Sequence, residues 1–93
     1  MTESPILHRA EAHCFETEAE GHLACLEYRL EAGVMRITHT HVPEAIGGRG
    51  IAGRLVRAAV DQARASGWKV VPACSYAAAW ITRHPEYSDL VAG

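Results

Sequence analysis

The spacing of apolar residues changes once along this chain, at a glycine-rich segment that follows Pro43. Before that segment apolar and polar residues alternate, as they do in half-buried β-strands. After it apolar residues recur every fourth position, which is the spacing of one face of an α-helix. These helical positions are Ile51, Leu55, Ala59 and Ala63. The change predicts a domain that contains both strands and helices.

Three alternating segments precede the glycine-rich segment, at residues 12–19, 23–30 and 34–42, with short glycine-containing turns between them. Three strands joined by such turns predict an antiparallel meander. In the second strand, one face carries Ala24, Leu26, Tyr28 and Leu30. In the third, strict alternation would place Met35, Ile37, His39 and His41 on one face.

Gly67 is a natural end for the helix that starts near Ile51, and residues 68–74 then form an apolar strand. The helix is long enough to serve as the crossover that parallel strands require, so this strand should lie parallel to the third. Ser75 is the expected N-cap of a second helix that ends before Pro85. The predicted fold is α/β (α+β): an antiparallel three-strand meander, a β-α-β crossover and a C-terminal helix.

Composition excludes several classes of function. The 93 residues suit one domain, and a net charge of −2 with nine dispersed basic residues argues against nucleic-acid binding. No apolar stretch reaches the length of a membrane span, which is about 18 residues, and no signal peptide is evident. Three cysteines without a C-x-x-C pair indicate reduced thiols, so we expect a cytoplasmic protein. Because a domain this small has a limited core, we expect a monomer or a weak homodimer.

The glycine-rich segment itself has the character of an anion site. Glycines allow the backbone to approach a phosphate, and the start of a helix offers unpaired N–H groups and a positive dipole. Arg49 or Arg54 could add a counter-charge. The segment lacks the Gly-Lys-Ser/Thr of a P-loop, and it follows hairpins, unlike a dinucleotide fingerprint. The alternative is a flexible loop before an ordinary helix.

At residues 47–52 the sequence is similar, from the third position onward, to the acetyl-CoA motif Gln/Arg-x-x-Gly-x-Gly/Ala, although Gly47 replaces the first side chain. Segments 38–43, 70–74 and 83–87 look like the pattern of the same family. Together they resemble the small YjdJ-like branch of the GNAT acetyltransferase superfamily. That branch has a glutamate where this chain has His41, so the identity of the general base stays open.

The resemblance implies acetyl-CoA as cosubstrate, with pantetheine between residues 40–42 and 71–74 and its thioester toward Cys74. It implies transfer of the acetyl group to a primary amine, with a protein lysine or N-terminus among the candidates. A non-catalytic acyl-CoA-binding module is the alternative. The implied cofactor-binding residues are Thr40, His41, Val42, Gly47, Gly48, Arg49, Gly50, Ile51, Ala52, Gly53, Arg54, Cys74, Ser75 and Tyr76.

Three side chains are candidates for the chemistry. Cys74 precedes a predicted helix, where amide dipoles favour a thiolate, although free cysteines are also common in cores. His41 could act as general base, and Tyr76 could protonate the departing thiolate, but both residue types also pack without a catalytic role. A metal site formed by His39, His41 and Cys74 is a further alternative that lacks an evident fourth ligand.

Other residues have less specific expectations. His84 and Tyr87 could line the adenosine or pantetheine side, whereas Cys14 and Cys25 are simplest to explain as core residues of strands. Ala77, Trp80 and Ile81 have helical spacing and are expected in the core. Full-length members of the superfamily that the chain resembles carry helices between their first strands, which cover the acceptor. Here only a turn fits at residues 19–22, so the resemblance implies an open acceptor side, which favours an exposed lysine over an enclosed metabolite.

Overall fold

One five-stranded sheet organises the chain, as described for residues 4–92 by a computed structural model. The strands follow one another across the sheet in chain order; the first four are antiparallel and the last two are parallel. The elements are β1 (Leu7–Arg9), β2 (Cys14–Ala19), β3 (His22–Glu31), β4 (Val34–His41), α1 (Ile51–Ser66), β5 (Lys69–Pro72) and α2 (Ser75–Thr82). Short 3-10 turns cover Ala10–Ala12, Glu44–Ile46 and Pro85–Leu90. The predicted α+β fold class is confirmed.

Two-residue turns connect the central strands. Ala19 pairs with His22, and Glu31 pairs with Val34, so each connection has only two residues. All four turn residues have positive φ, including 49° at Glu20 and 50° at Ala32. This is the geometry whose twist matches that of antiparallel strands. The predicted hairpins are therefore confirmed.

Helix α1 packs on one face of the sheet and makes the core there. Its buried side chains include Leu55, Val56 and Val60, which are fully enclosed. They meet the inward-facing residues of the strands, such as Leu26 and Ile37. The helix ends at Gly67, where φ is 75° and the N–H bonds back to the last turn. The amphipathic periodicity of α1 thus predicted both its buried face and its end.

A β-bulge in β4 corrects the predicted alternation. Tyr28 pairs with Ile37, but Glu27 pairs with His39, so Thr38 is an extra residue in β4. The hydroxyl of Thr38 donates to the carbonyl of Glu27 at 3.3 Å. Because one residue is inserted, His39 and the following histidine lie on the opposite face from Ile37. The prediction that these histidines share a face with Met35 and Ile37 was wrong.

Strands β4 and β5 separate after four paired residues. The register runs from Val34 opposite Lys69 to Ile37 opposite Pro72. Proline has no N–H, and the N–H of Ala73 bonds to the carbonyl of Val71 at 3.0 Å, so the chain turns away there. The predicted strand at residues 68–74 is therefore shorter than expected. A gap opens between residues 38–41 of β4 and the chain after β5.

Two further predictions of element boundaries need correction. The first predicted strand, residues 12–19, begins only at Cys14, and the short strand β1 before it was not predicted at all. The N-cap of α2 is Cys74 rather than Ser75, which is the first residue of the helix. The tail from residue 86 forms a 3-10 turn, and Val91 bridges to Val70 at the outer edge of β5. Gly93 lies outside the described residues.

Within the described residues no helix is both long and apolar enough to cross a membrane.

Candidate functional site

The start of α1 presents backbone N–H groups that have no partner within the helix. The first hydrogen bond of the helix joins the N–H of Arg54 to the carbonyl of Gly50 at 3.1 Å. The N–H groups of residues 51–53 therefore remain unpaired in the helix, and no side chain caps them. The first turn has no acidic residue that would compete for the positive end of the helix dipole. This arrangement suits an anion.

Two glycines give the preceding loop its shape. Gly48 and Gly50 both have φ of 76°, a region that side chains with a Cβ rarely adopt. Gly53 has a different role, because a Cβ there would lie 3.2 Å from Nε1 of Trp80 and 3.4 Å from the hydroxyl of Tyr76. The absence of a side chain at Gly53 lets α1 and α2 approach each other, and so helps to place Tyr76.

An open cleft of about 250 Å³ runs along this loop. All of the residues that line it are among the predicted cofactor-binding residues. They are Val42, Gly47, Gly48, Gly50, Ile51, Ala52 and Tyr76. The cleft therefore connects the start of α1 with the end of β4 and the first turn of α2.

Cys74 stands where β4 and β5 separate. Its N–H bonds to the carbonyl of Ile37 at 3.0 Å, and its Sγ lies 3.6 Å from Oγ1 of Thr40 across the gap. Burial raises the pKa of this thiol, but hydrogen bonds from the N–H of Ala77, the Thr40 hydroxyl and the N–H of Tyr76 lower the pKa more. The net pKa lies below the ordinary value, as predicted for a cysteine before a helix.

Comparison with known proteins places this geometry in a family. A family model for GCN5-related N-acetyltransferases matches residues 14–90. The chain belongs to the GCN5-related N-acetyltransferase family. An NMR structure of a GCN5-like protein from Staphylococcus aureus is similar, with 28% sequence identity and a TM-score of 0.76. The alignment covers 100% of this chain and 92% of that one. A search of curated proteins gave no match.

Arg49 and Arg54 of the glycine-rich segment both contact other parts of this acetyltransferase family member. Arg49 pairs with Glu20 at 2.6 Å, and this pairing lowers the pKa of the Glu20 carboxyl. Arg54 donates to the carbonyl of Ser4 at 2.6 Å. Exposed ion pairs contribute little, so Arg49 could exchange its partner for a ligand anion. Their predicted role as counter-charges stays a prediction, and the backbone amides are the better-placed donors.

The histidines predicted near the acetyltransferase site face away from it. His39 and His41 lie on the face without helices, with ring centroids 6.2 Å apart, whereas Thr40 between them faces the gap. Within the described residues, no three His, Cys, Asp or Glu side chains are placed to hold a metal ion. Cys74 is therefore not brought together with the histidines, and the metal alternative receives no support. Ser75 is exposed at the start of α2 and does not line the cleft.

His84 and Tyr87 have structural contacts that the sequence did not predict. The ring of His84 stacks on Trp80 at 3.7 Å, and its Nδ1 lies 2.7 Å from the carbonyl of Trp80. Tyr87 is buried and donates to Asp61 at 2.6 Å, which raises the pKa of the tyrosine. Neither residue lines the cleft, and their expected place beside the adenosine or pantetheine stays a prediction. Trp80, with Ala77 and Ile81, is in the core as predicted.

All three cysteines are free thiols, but Cys14 and Cys25 are not core residues. Both are half-buried on the helix-free face, where Cys14 pairs with Glu27 and Cys25 pairs with Glu16. Burial and neighbouring carboxylates raise the pKa of both thiols. Sequence reasoning missed the contact of Cys74 with Thr40. A signal for it was Pro72, which has no N–H to donate and ends the pairing of β5 with β4.

Proposed function

We propose that this protein binds acetyl-CoA along the cleft and transfers the acetyl group to a primary amine. The single observation that supports this most strongly is the separation of β4 and β5 after Ile37 and Pro72, with Cys74 and Thr40 on either side of the gap. The cleft along the glycine loop is also lined by Val42, which follows β4, and by Tyr76, two residues after Cys74, so one extended ligand could contact both regions. Membership of the GCN5-related N-acetyltransferase family supports the same reaction.

The residues of the cleft fit the parts of acetyl-CoA. The unpaired amides at the start of α1 would bind the pyrophosphate, and no acidic side chain in that turn would repel it. Residues 40–42 would bind pantetheine through their backbone groups, because β4 has no partner on the β5 side beyond Ile37, and residues 71–74 would border the opposite side of the ligand. Acetyl-CoA supplies an acetyl group that is activated as a thioester.

The protein residues allow two routes for the transfer. In the direct route the neutral amine attacks the carbonyl carbon, a C–N bond forms, and the C–S bond breaks. The amine then loses a proton, and Tyr76 could donate one to the departing thiolate, since its hydroxyl lies beside the cleft. In the second route the Cys74 thiolate attacks first, coenzyme A leaves, and the amine then takes the acetyl group from Sγ. The lowered pKa of Cys74 supports the second route.

The finer features of this proposal come from sequence resemblance. Segments 38–43, 70–74 and 83–87 support placement in the YjdJ-like branch of the superfamily. The exposed face of the sheet beside the gap supports an accessible amine, such as a protein lysine or N-terminus, as acceptor. Reduced thiols and acetyl-CoA as cosubstrate both suit the cytoplasm.

A second candidate function is an acyl-CoA-binding module without turnover. The observation that favours it is the position of His41, because this candidate base faces away from Thr40 and the gap. A base is needed to deprotonate an amine such as lysine, whose usual pKa is about 10.4. Binding alone does not need one.

Calorimetric titration with acetyl-CoA is the first test. We expect one saturable site in the unchanged protein and loss of binding in Gly50→Val, because valine is strained at φ of 76°. Gly33→Val is the matched control, since Gly33 has φ of 78° in the β3–β4 turn, where an added Cβ would meet no neighbour, and would be equally strained. Equal binding by all three proteins would show that the loop is not the phosphate site.

Release of coenzyme A in the presence of amines then separates the two functions. Saturable binding without release above the background rate would favour the binding module. If release occurs, Cys74→Ser distinguishes the routes. Under the second route, the Cys74→Ser protein should no longer gain the mass of one acetyl group in the presence of acetyl-CoA. Under the direct route, it should keep most of its turnover.

A further inference from the structure

Two arginines stand directly opposite each other on the helix-free face of the sheet. Arg29 of β3 pairs with Arg36 of β4, and both side chains are exposed. Within residues 4–92 neither guanidinium makes a hydrogen bond or an ion pair. Among the other arginines, Arg9, Arg49 and Arg64 all pair with carboxylates.

The repulsion between these two positive charges lowers the stability of the folded protein, and no ion pair to either arginine in residues 4–92 offsets it. Like charges directly across two antiparallel strands are unfavourable, because their side chains are close neighbours on one face. Glu27 and Glu31 flank Arg29 on the same strand and face, but neither carboxylate contacts either arginine. An anion between the two guanidinium groups would relieve the repulsion and accept charge-assisted hydrogen bonds from both.

The arginine pair lies beside the proposed reaction site. Arg36 immediately precedes Ile37, which is the last residue of β4 that pairs with β5. Helices α1 and α2 pack on the other face of the sheet. With acetyl-CoA in the cleft on the helix side, the face that carries the arginines is the open route by which an amine would reach the gap. Glu27 is the neighbour of Arg29 on the same face of β3, about 7 Å away along the strand. It lies opposite His39 of β4.

We infer that the amine acceptor carries a carboxylate close to its amine, and that Arg29 and Arg36 bind this carboxylate. The inference rests on the proposed function. The carboxylate of Glu27 attracts the ammonium form of the acceptor, while the arginine pair binds the anion one side-chain position away. Two sources supply this chemistry: a free amino acid, and a lysine of a protein next to an acidic residue. The arginines act by binding the acceptor and take no part in bond making.

Paired acceptors test the inference through coenzyme A release. One pair is alanine and alaninamide, and the other is a lysine peptide flanked by glutamate and its counterpart flanked by glutamine. We expect kcat/KM to favour the charged member of one pair by about tenfold, the size of a charge-assisted contact. A preference for alanine over alaninamide would identify a free amino acid as the acceptor. A preference for the glutamate-flanked peptide would identify a protein lysine beside an acidic residue.

Three variants locate the effect. Arg29→Gln and Arg36→Gln should each reduce the preference several-fold, mainly through KM, and should leave acetyl-CoA affinity unchanged. Arg83→Gln is the matched control, because Arg83 is also exposed and unpaired in the described chain but ends α2 on the helix side. A preference absent from both pairs, or one unaffected by the first two variants, would overturn the inference.

Direct binding separates failure of the inference from failure of the proposed transfer. Fluorescence anisotropy of labelled peptides measures affinity without turnover. Tighter binding of the glutamate peptide that depends on both arginines would uphold the anion site even if no amine released coenzyme A. Equal binding of both peptides, with no preference between alanine and alaninamide in turnover, would refute it even if transfer occurs. Tighter binding of a labelled oligonucleotide with the same arginine dependence would assign the pair to nucleic acid instead.

Discussion

The three cysteines illustrate how neighbouring atoms decide the reactivity of a side chain. Cys14 and Cys25 lie on an open sheet face beside glutamates, and both have a raised pKa. Cys74 is also partly buried, but donors from α2 and from Thr40 stabilise its thiolate more than burial destabilises it. The same residue type therefore has a raised pKa at two positions and a lowered pKa at a third, which favours the thiolate only at Cys74.

Alkylation kinetics should report this difference. We expect iodoacetamide to modify Cys74 first at pH 7, because a lowered pKa leaves more thiolate there than in the other two cysteines. In Thr40→Val the hydroxyl donor is lost, so the pKa of Cys74 rises and the rate profile shifts to higher pH. Peptide mapping by mass spectrometry at several pH values measures both effects.

Thr82→Val is the control for this experiment, because Thr82 bonds within α2 to the carbonyl of Ala78. Its alkylation profile should match that of the unchanged protein. Faster modification of Cys14 or Cys25, or an unmoved profile in Thr40→Val, would contradict the assigned cause of the shift.

At the scale of elements, short turns and one bulge determine the shape of the sheet. The β2–β3 and β3–β4 turns each place a residue other than glycine at positive φ, namely Glu20 and Ala32. The bulge at Thr38 then rotates the end of β4, so Thr40 faces the gap while the histidines face outward. The geometry of the proposed site thus depends on a single inserted residue.

Ala32→Asn should stabilise the protein. Alanine is disfavoured at φ of 50°, whereas asparagine followed by glycine is preferred in this two-residue turn. We expect the free energy of unfolding to rise by about 0.5–1 kcal/mol. Urea denaturation measures the change, with Ala10→Asn as a control at an exposed alanine outside the positive-φ positions. A destabilised Ala32→Asn would argue against this turn geometry.

At the scale of the whole molecule, the sheet separates two surfaces. The helices cover one face and bring the glycine loop to the gap, while in the described chain no helix packs on the other face. This separation follows from the two-residue turn between β2 and β3, which leaves no room for a covering helix. A domain this small has a limited core, so ligand binding should contribute a large share of its stability.

Thermal unfolding should therefore respond strongly to acetyl-CoA. At about 100 times Kd, binding adds about 2.7 kcal/mol to the free energy of unfolding, which corresponds to a Tm increase of roughly 10 °C. Gly50→Val should have a smaller increase or none, whereas Gly33→Val should keep the full increase. A large increase in Gly50→Val would mean that the ligand is bound elsewhere.

The elements that depend on local signals were predicted well. The apolar spacing from Ile51 and the glycine at 67 determined α1, and alternation determined the buried face of β3. The glycine loop was located in the same way, because the positive φ of Gly48 and Gly50 is a local requirement. Each of these depends on residues close together in the chain, so the sequence by itself contains the information.

Other features arise only when distant segments meet. The bulge at Thr38 exists because β3 pairs in a shifted register with β4, and no alternation pattern shows it. Tyr87 is buried in the core, and its hydroxyl donates to Asp61 of α1. The opposition of Arg29 and Arg36 and the contact of Cys74 with Thr40 also join separate strands and loops. Tertiary structure decided these features, because each depends on which side chains the register and packing bring within a few ångströms of one another.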